Sequence, residues 1–171
     1  PRRFSDELRH AVLKVLPRFT PAVIRPRYHF AEDIDPIKTV EIMARIARRG
    51  SQGIILKAQN VAPICVEIVR LAVLKIPVVT VFTDCLGSGR LAYAGLNNKN
   101  AGRTAAYLFS QSVQGRAGTV ITTTSRSQFQ GEEARALAFA GEMARLCPNV
   151  SLIDASGGAG LALGTAAKIT A

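Results

Sequence analysis

The histidines, the cysteines and a hydroxyl-rich stretch are the side chains of this 171-residue chain with the plainest capacity for chemistry. Nucleophilic catalysis needs a hydroxyl or thiol beside a base that takes its proton. His10 falls in a helical pattern and His29 in a strand-like run, and neither accompanies a nucleophile signature. Thr122 to Ser127 is rich in hydroxyls but has no base assigned to it, so it reads as a loop. There is no Gly-x-Ser-x-Gly turn, phosphate-binding loop or metal motif. Cys65, Cys85 and Cys147 are odd in number and widely spaced, without a CxxC pair, so metal binding is not expected. They read as buried, unpaired thiols, which suits a reducing compartment, the cytoplasm, better than the periplasm. The run from Ser151 to Gly160 passes from strand into glycines. Gly158, Gly160 and Gly164 faintly suggest a dinucleotide-binding turn. The acidic residue such a turn needs about 20 positions on would fall beyond residue 171. A linker entering a small-residue helix is the better reading. No enzyme activity and no cofactor are expected.

Charge points less far than its size suggests. The formal net charge is +10, from 22 Lys+Arg against 12 Asp+Glu. Such an excess raises the prospect of an anionic partner. It is spread evenly, however, and the densest cluster, Arg45, Arg48 and Arg49, closes a helix whose dipole it offsets. No apolar run is long enough to cross a membrane. The N-terminus carries no secretory pattern and no initiator Met, which reads as a piece of a longer protein.

The elements that would position any site alternate helix and strand. Phe4, Leu8, Ala11, Val12, Val15 and Leu16 recur at helical spacing until Pro17. Ala22 to Phe30 reads as a strand. Asp35-Pro36 opens a helix with a buried stripe of Ile37, Val40, Met43, Ile46 and Ala47, closed by Gly50. Gly53 to Leu56 reads as a strand covered on both faces, then a helix follows from Ala62 to Leu74. A strand at Ile76 to Phe82, a polar turn at 84–90 and a short strand at Leu91 to Ala94 come next. A helix from Ala101 to Val113, a strand from Thr119 to Thr123, a helix from Glu132 to Leu146 and a strand from Val150 to Asp154 complete the pattern. Such alternation implies α/β architecture with parallel sheets flanked by helices. Ligands then sit beyond the carboxyl ends of strands. That singles out Lys57 to Asn60, Phe82 to Arg90 and Thr124 to Gln130.

Gly53-Ile54-Ile55-Leu56, a helix and Ile76-Pro77-Val78-Val79-Thr80 resemble the lactose-repressor family and the periplasmic sugar-binding proteins. So do Arg90 to Asn98 followed by Ala101-Gly102-Arg103-Thr104-Ala105-Ala106-Tyr107-Leu108, although Asn97 stands where Asp is usual. Asn97 or Asn98 can cap the helix, and Gly102 with the paired alanines can bring that helix close to the sheet. Glu132 to Phe139 resembles the family's effector-loop helix, with Ala138 in place of a Gly. The likeness covers roughly residues 4–156. It implies a two-lobed type I periplasmic-binding-protein fold, lacking the first strand and part of the second lobe. Residues 1–95 would form the N-terminal lobe and 96–171 a partial C-terminal one, with a hinge near Gly95.

By the same resemblance, Arg135 reaches ligand hydroxyls, since a planar guanidinium suits paired oxygen acceptors; alternatively it pairs with Glu132 on the helix surface. Lys57 stands where relatives place a ligand-bonding Asn, and with Arg135 would favour a sugar acid or phosphorylated sugar. A solvent-facing role suits Lys57 equally. Asn60 lies in the same loop and reads first as a turn residue. Phe82 occupies a place where relatives carry Asp, and would either stack on a sugar ring or fill core. Asp84 can accept hydroxyls in its stead, or start the turn toward Gly87. Gln128 and Gln130 are secondary hydrogen-bonders.

The function this implies is sensing of a small sugar or sugar derivative by a lactose-repressor-type transcription regulator. It would act as a homodimer, contacting operator DNA only through a helix-turn-helix headpiece outside this chain, without membrane contact. The periplasmic sugar-binding component of a transporter is the alternative, and a dinucleotide-dependent enzyme the third. Without a complete second lobe, weak ligand affinity is expected.

Overall fold

The computed structural model describes residues 2–30, 35–124 and 128–155. The glycine-rich tail from Ser156 onward and Ser125 to Ser127 of the hydroxyl-rich loop lie outside the described residues. The chain divides into two compact units, the first ending at Asp35 and the second starting at Pro36.

In the first unit, helix α1 (Arg2–Val15) runs into a 3-10 turn (Leu16–Phe19) at Pro17. Leu8, Val12 and Leu16 form its half-buried stripe, four residues apart. The strand expected over Ala22 to Phe30 does not form. No strand among the described residues pairs with it, and Val23, Ile24 and Phe30 are exposed. Pro21 and Pro26 have no amide hydrogens for a ladder, which disfavours a paired strand. The segment is held instead by side chains: the Arg9 guanidinium lies 5.4 Å from the Tyr28 ring centroid, and Tyr28 stacks on Phe30.

The second unit holds α2 (Pro36–Arg48), β1 (Ile54–Leu56), α3 (Ala62–Val73), β2 (Val78–Val81), β3 (Ala92–Ala94), α4 (Asn98–Val113), β4 (Gly118–Thr122), α5 (Gln130–Leu146) and β5 (Val150–Asp154). The strands form two separate parallel sheets, β1-β2-β3 and β4-β5, with Ile54 opposite Val78, Val79 opposite Ala92 and Val120 opposite Leu152. This is the α/β architecture of parallel sheets flanked by helices that the alternation predicts.

Each sheet has its own core. Met43 of α2 and Ile64, Ile68 and Leu71 of α3 pack with Ile54, Ala58 and Val78. Ala106 of α4, Met143 of α5 and Cys147 pack with Val150 and Leu152 of β5, with Phe109 set edge-on to Phe139. Two expected burials fail. Ile37 is exposed, because the stripe that meets the core begins at Val40. Ile55 is 63% exposed, since α2 and α3 pack with its neighbours Ile54 and Leu56, which point the opposite way along the strand.

The thiols differ from expectation too. Cys65 near the start of α3 and Cys85 after β2 form a disulfide, while Cys147 is a free, buried thiol. No helix among the described residues is long and apolar enough to cross a membrane.

Candidate cleft between the two sheets

Three loops, each beside the carboxyl end of a strand, meet through hydrogen bonds between residues that follow the two sheets. β1 runs into Lys57 to Asn60, where Ala58 and Gln59 are buried and Lys57 and Asn60 exposed. The Gln59 amide donates to Oε1 of Gln128 at 2.8 Å. The Asn60 backbone N–H donates to the Gln128 carbonyl, also at 2.8 Å. Nζ of Lys57 sits 4.9 Å from the centroid of the buried Phe129 ring, a cation–π contact. Three of the six predicted residues, Lys57, Asn60 and Gln128, are thus brought together.

Phe82 directly follows β2 at φ 65°, the left-handed region that a bulky residue rarely adopts. Two ties hold it there: its N–H donates to the Ala94 carbonyl at 3.1 Å, and its own carbonyl accepts the Tyr93 hydroxyl at 3.2 Å. Phe82 is 39% exposed and is therefore not core. Next to it, the Thr83 hydroxyl accepts the Gly131 N–H at 3.3 Å, a second bridge to the start of α5.

Asp84 turns inward. Its carboxylate accepts the Thr80 hydroxyl at 2.7 Å and the Cys85 N–H at 2.9 Å. It also pairs with the Arg90 guanidinium through two bonds. Burial pushes the carboxyl pKa up, but the Arg90, Thr80 and Cys85 bonds outweigh it and hold the group below the ordinary carboxylate value. A buried carboxylate with this many donors serves to fix the turn at 84–90, where Ser88 also bonds the Cys85 carbonyl.

Arg135 lies one turn into α5 and reaches back to α4. Its Nε and Nη2 donate to Oδ1 of Asn98 at 3.2 and 2.7 Å. Asn97, not Asn98, caps α4, accepting the Asn100 N–H at 3.1 Å. Gly102 brings α4 close to α5 and not to a sheet: a Cβ there would collide with the Arg135 carbonyl oxygen. Gln59, Thr83 and Phe129 fall inside the stretches that the sequence singles out after strand ends, but not among its individual ligand candidates. Tyr93 lies outside those stretches, because an aromatic residue in a short strand reads as packing.

The arrangement offers amides, one guanidinium and one ammonium at the junction of two sheets, with aromatic rings at Phe82 and Phe129. Hydroxyl-rich solutes suit such groups. Among the described residues no cluster of metal-ligating side chains occurs.

No family model and no curated protein sequence matches the chain. Solved structures do. A candidate LacI transcriptional regulator from Bacteroides fragilis superposes with a TM-score of 0.79 at 14% identity, covering 95% of this chain and 57% of its own. A fructose-binding periplasmic domain of a hybrid two-component system gives 0.74 at 22% identity, over 89% and 50%. A glucose-galactose binding protein from Geobacillus stearothermophilus gives 0.70 at 22% identity, over 80% and 48%. The fold is that of the type I periplasmic binding proteins. The chain spans about half the length of these sugar-binding and regulatory proteins.

Proposed function

We propose that this chain is the effector-sensing part of a lactose-repressor-type transcription regulator, taking a small sugar or sugar derivative between its two sheets. The observation that carries the reading is the bridging of two separate parallel sheets by Gln59 with Gln128 and Lys57 with Phe129. In this fold the cleft between sheets is where a solute would touch both halves at once. Residues 1–95 and 96–171 would be the two lobes, and Lys57, Asn60, Phe82, Gln128 and Arg135 would line the cleft. Asp84 would contribute by shaping the loop that carries Phe82. Ligand binding would alter the lobe arrangement in a cytoplasmic homodimer, and so the spacing of DNA-binding headpieces. The likeness to the Bacteroides regulator supports this reading, and the likeness to the sugar-binding proteins supports the sugar ligand that both readings share.

The Cys65–Cys85 disulfide favours a second reading, an extracytoplasmic solute-binding protein, because such bonds persist in oxidising compartments. A thiol count on the protein purified from the cells that naturally make it, under thiol-blocking conditions, separates the two. Three reactive thiols after denaturation fit the regulator; one fits the exported receptor. For the shared claim, D-glucose, D-galactose and D-fructose are titrated against isotope-labelled protein. Shifts confined to the loops around Lys57, Phe82 and Gln128 support a sugar cleft, while stabilisation by NAD(P) without sugar binding would favour a nucleotide-dependent enzyme.

A further inference from the structure

We propose that Asn98 is a positioning residue of the cleft, which aims Arg135 and ties its position to the segment crossing between the sheets; this rests on the cleft being a sugar site. Asn98 is 8% exposed and every polar atom of its side chain is engaged. Its Oδ1 accepts both Nε and Nη2 of Arg135. Its Nδ2 donates toward the Tyr93 hydroxyl at 3.3 Å and the Leu96 carbonyl at 3.2 Å. The Tyr93 hydroxyl in turn lies 3.2 Å from the carbonyls of Phe82 and Leu96. With one hydrogen to give, it donates to one of them at a time.

The result is a continuous polar chain from α5 through the first residue of α4 to β3 and the end of β2. It starts and finishes on two candidate ligand residues, Arg135 and Phe82. A guanidinium carries five N–H donors. The Asn98 bonds occupy the Nε edge, so the Nη1 side is left for ligand hydroxyls. Asn98 cannot easily swing aside, because Gly131 is packed on it: a Cβ there would come within 2.9 Å of Nδ2 and 3.0 Å of the Phe82 carbonyl oxygen. A sugar that draws on Arg135 therefore pulls on Asn98, and through it on Tyr93 and Leu96 in the crossing segment.

A double-mutant cycle reads this coupling in sugar affinity, measured by titrating D-glucose, D-galactose and D-fructose and following the best binder. Asn98→Ala is expected to weaken binding roughly tenfold when Arg135 is present, the value of one hydrogen bond to a charged group. In an Arg135→Ala background it should cost less than about twofold. Asn98→Asp keeps the acceptor for Arg135 and should hold affinity within about threefold of the unaltered chain. A purely structural asparagine would cost the same in both backgrounds, and that result overturns the proposal. If Asn98→Ala does not fold, Asn98→Asp decides, and a tenfold or greater loss there overturns it. An unaltered chain that binds none of the sugars removes the cleft reading and this role together; binding with additive losses removes this role alone.

Discussion

Asp84 and Phe82 sit two residues apart, and the fold treats them in opposite ways. The Asp84 carboxylate is saturated by Thr80, Cys85 and Arg90. Asp84→Asn should cost about 2 kcal/mol in urea unfolding, by weakening charge-assisted bonds at a buried position. Its pH dependence has a definite sign. The carboxyl pKa is lowered in the fold from the ordinary 3.8, so the contribution is full above that value. It is lost as pH falls through the folded value, and the urea midpoint of the unaltered chain should drop below pH 4 more steeply than that of Asp84→Asn. Phe82 carries backbone strain at φ 65°. Glycine ordinarily destabilises a chain relative to alanine, but a left-handed position inverts the order. Phe82→Gly should therefore be more stable than Phe82→Ala by about 1 kcal/mol in the same assay. Equal stabilities would mean that the strain is relieved elsewhere.

The crossing of α4 and α5 is the tightest element contact in the second unit. At Gly102 a Cβ would meet the Arg135 carbonyl, the Phe139 nitrogen at 2.9 Å and the Ala138 Cβ at 3.0 Å. Two of these are backbone atoms, so the helices themselves must part. Gly102→Ala should cost 1–3 kcal/mol, roughly the penalty of overpacking, and broaden the resonances of α5. Gly141 in α5 is the control. A Cβ there meets nothing within 4 Å, so Gly141→Ala should stabilise by about 0.5–1 kcal/mol through helix propensity alone. Element order is legible in the sequence because apolar period and capping residues act locally: Asn97 caps α4, and Met43 and Val40 mark the inner face of α2. Which surface Gly102 meets is not legible. A glycine reports that something comes close, and only the tertiary arrangement says whether it is a sheet or a helix.

At the scale of the molecule, the disulfide and the candidate cleft are the features that the proposed readings turn on. Cys65 and Cys85 are 20 residues apart in sequence and close a loop containing most of α3 and all of β2. Loop-closure entropy assigns such a bond about 3 kcal/mol, so a reductant should shift the urea midpoint down by an equivalent amount. An unchanged midpoint would show that the bond is absent in solution. Its formation could not be read from spacing, since a lone pair of distant cysteines signals proximity only after the helix and strand between them have folded back. The meeting of the loops was legible in part: Lys57, Asn60 and Gln128 could be named as candidates because they follow strand ends, where ligands bind in parallel sheets. The inward turn of Asp84 could not, because it depends on Arg90 reaching back six residues. Nor could the tie between Arg135 and Asn98, 37 positions apart.

All of this returns to whether one solute touches both sheets. Nuclear magnetic resonance titration of the chain with D-glucose, D-galactose and D-fructose tests that most directly, and remains sensitive at weak affinity. At least one sugar should shift amides on both sides together, in 57–60 and 82–84 after the first sheet and in 128–135 of the second, with a single saturation curve. Shifts limited to one sheet, or curves with separate midpoints for the two, would contradict a shared site.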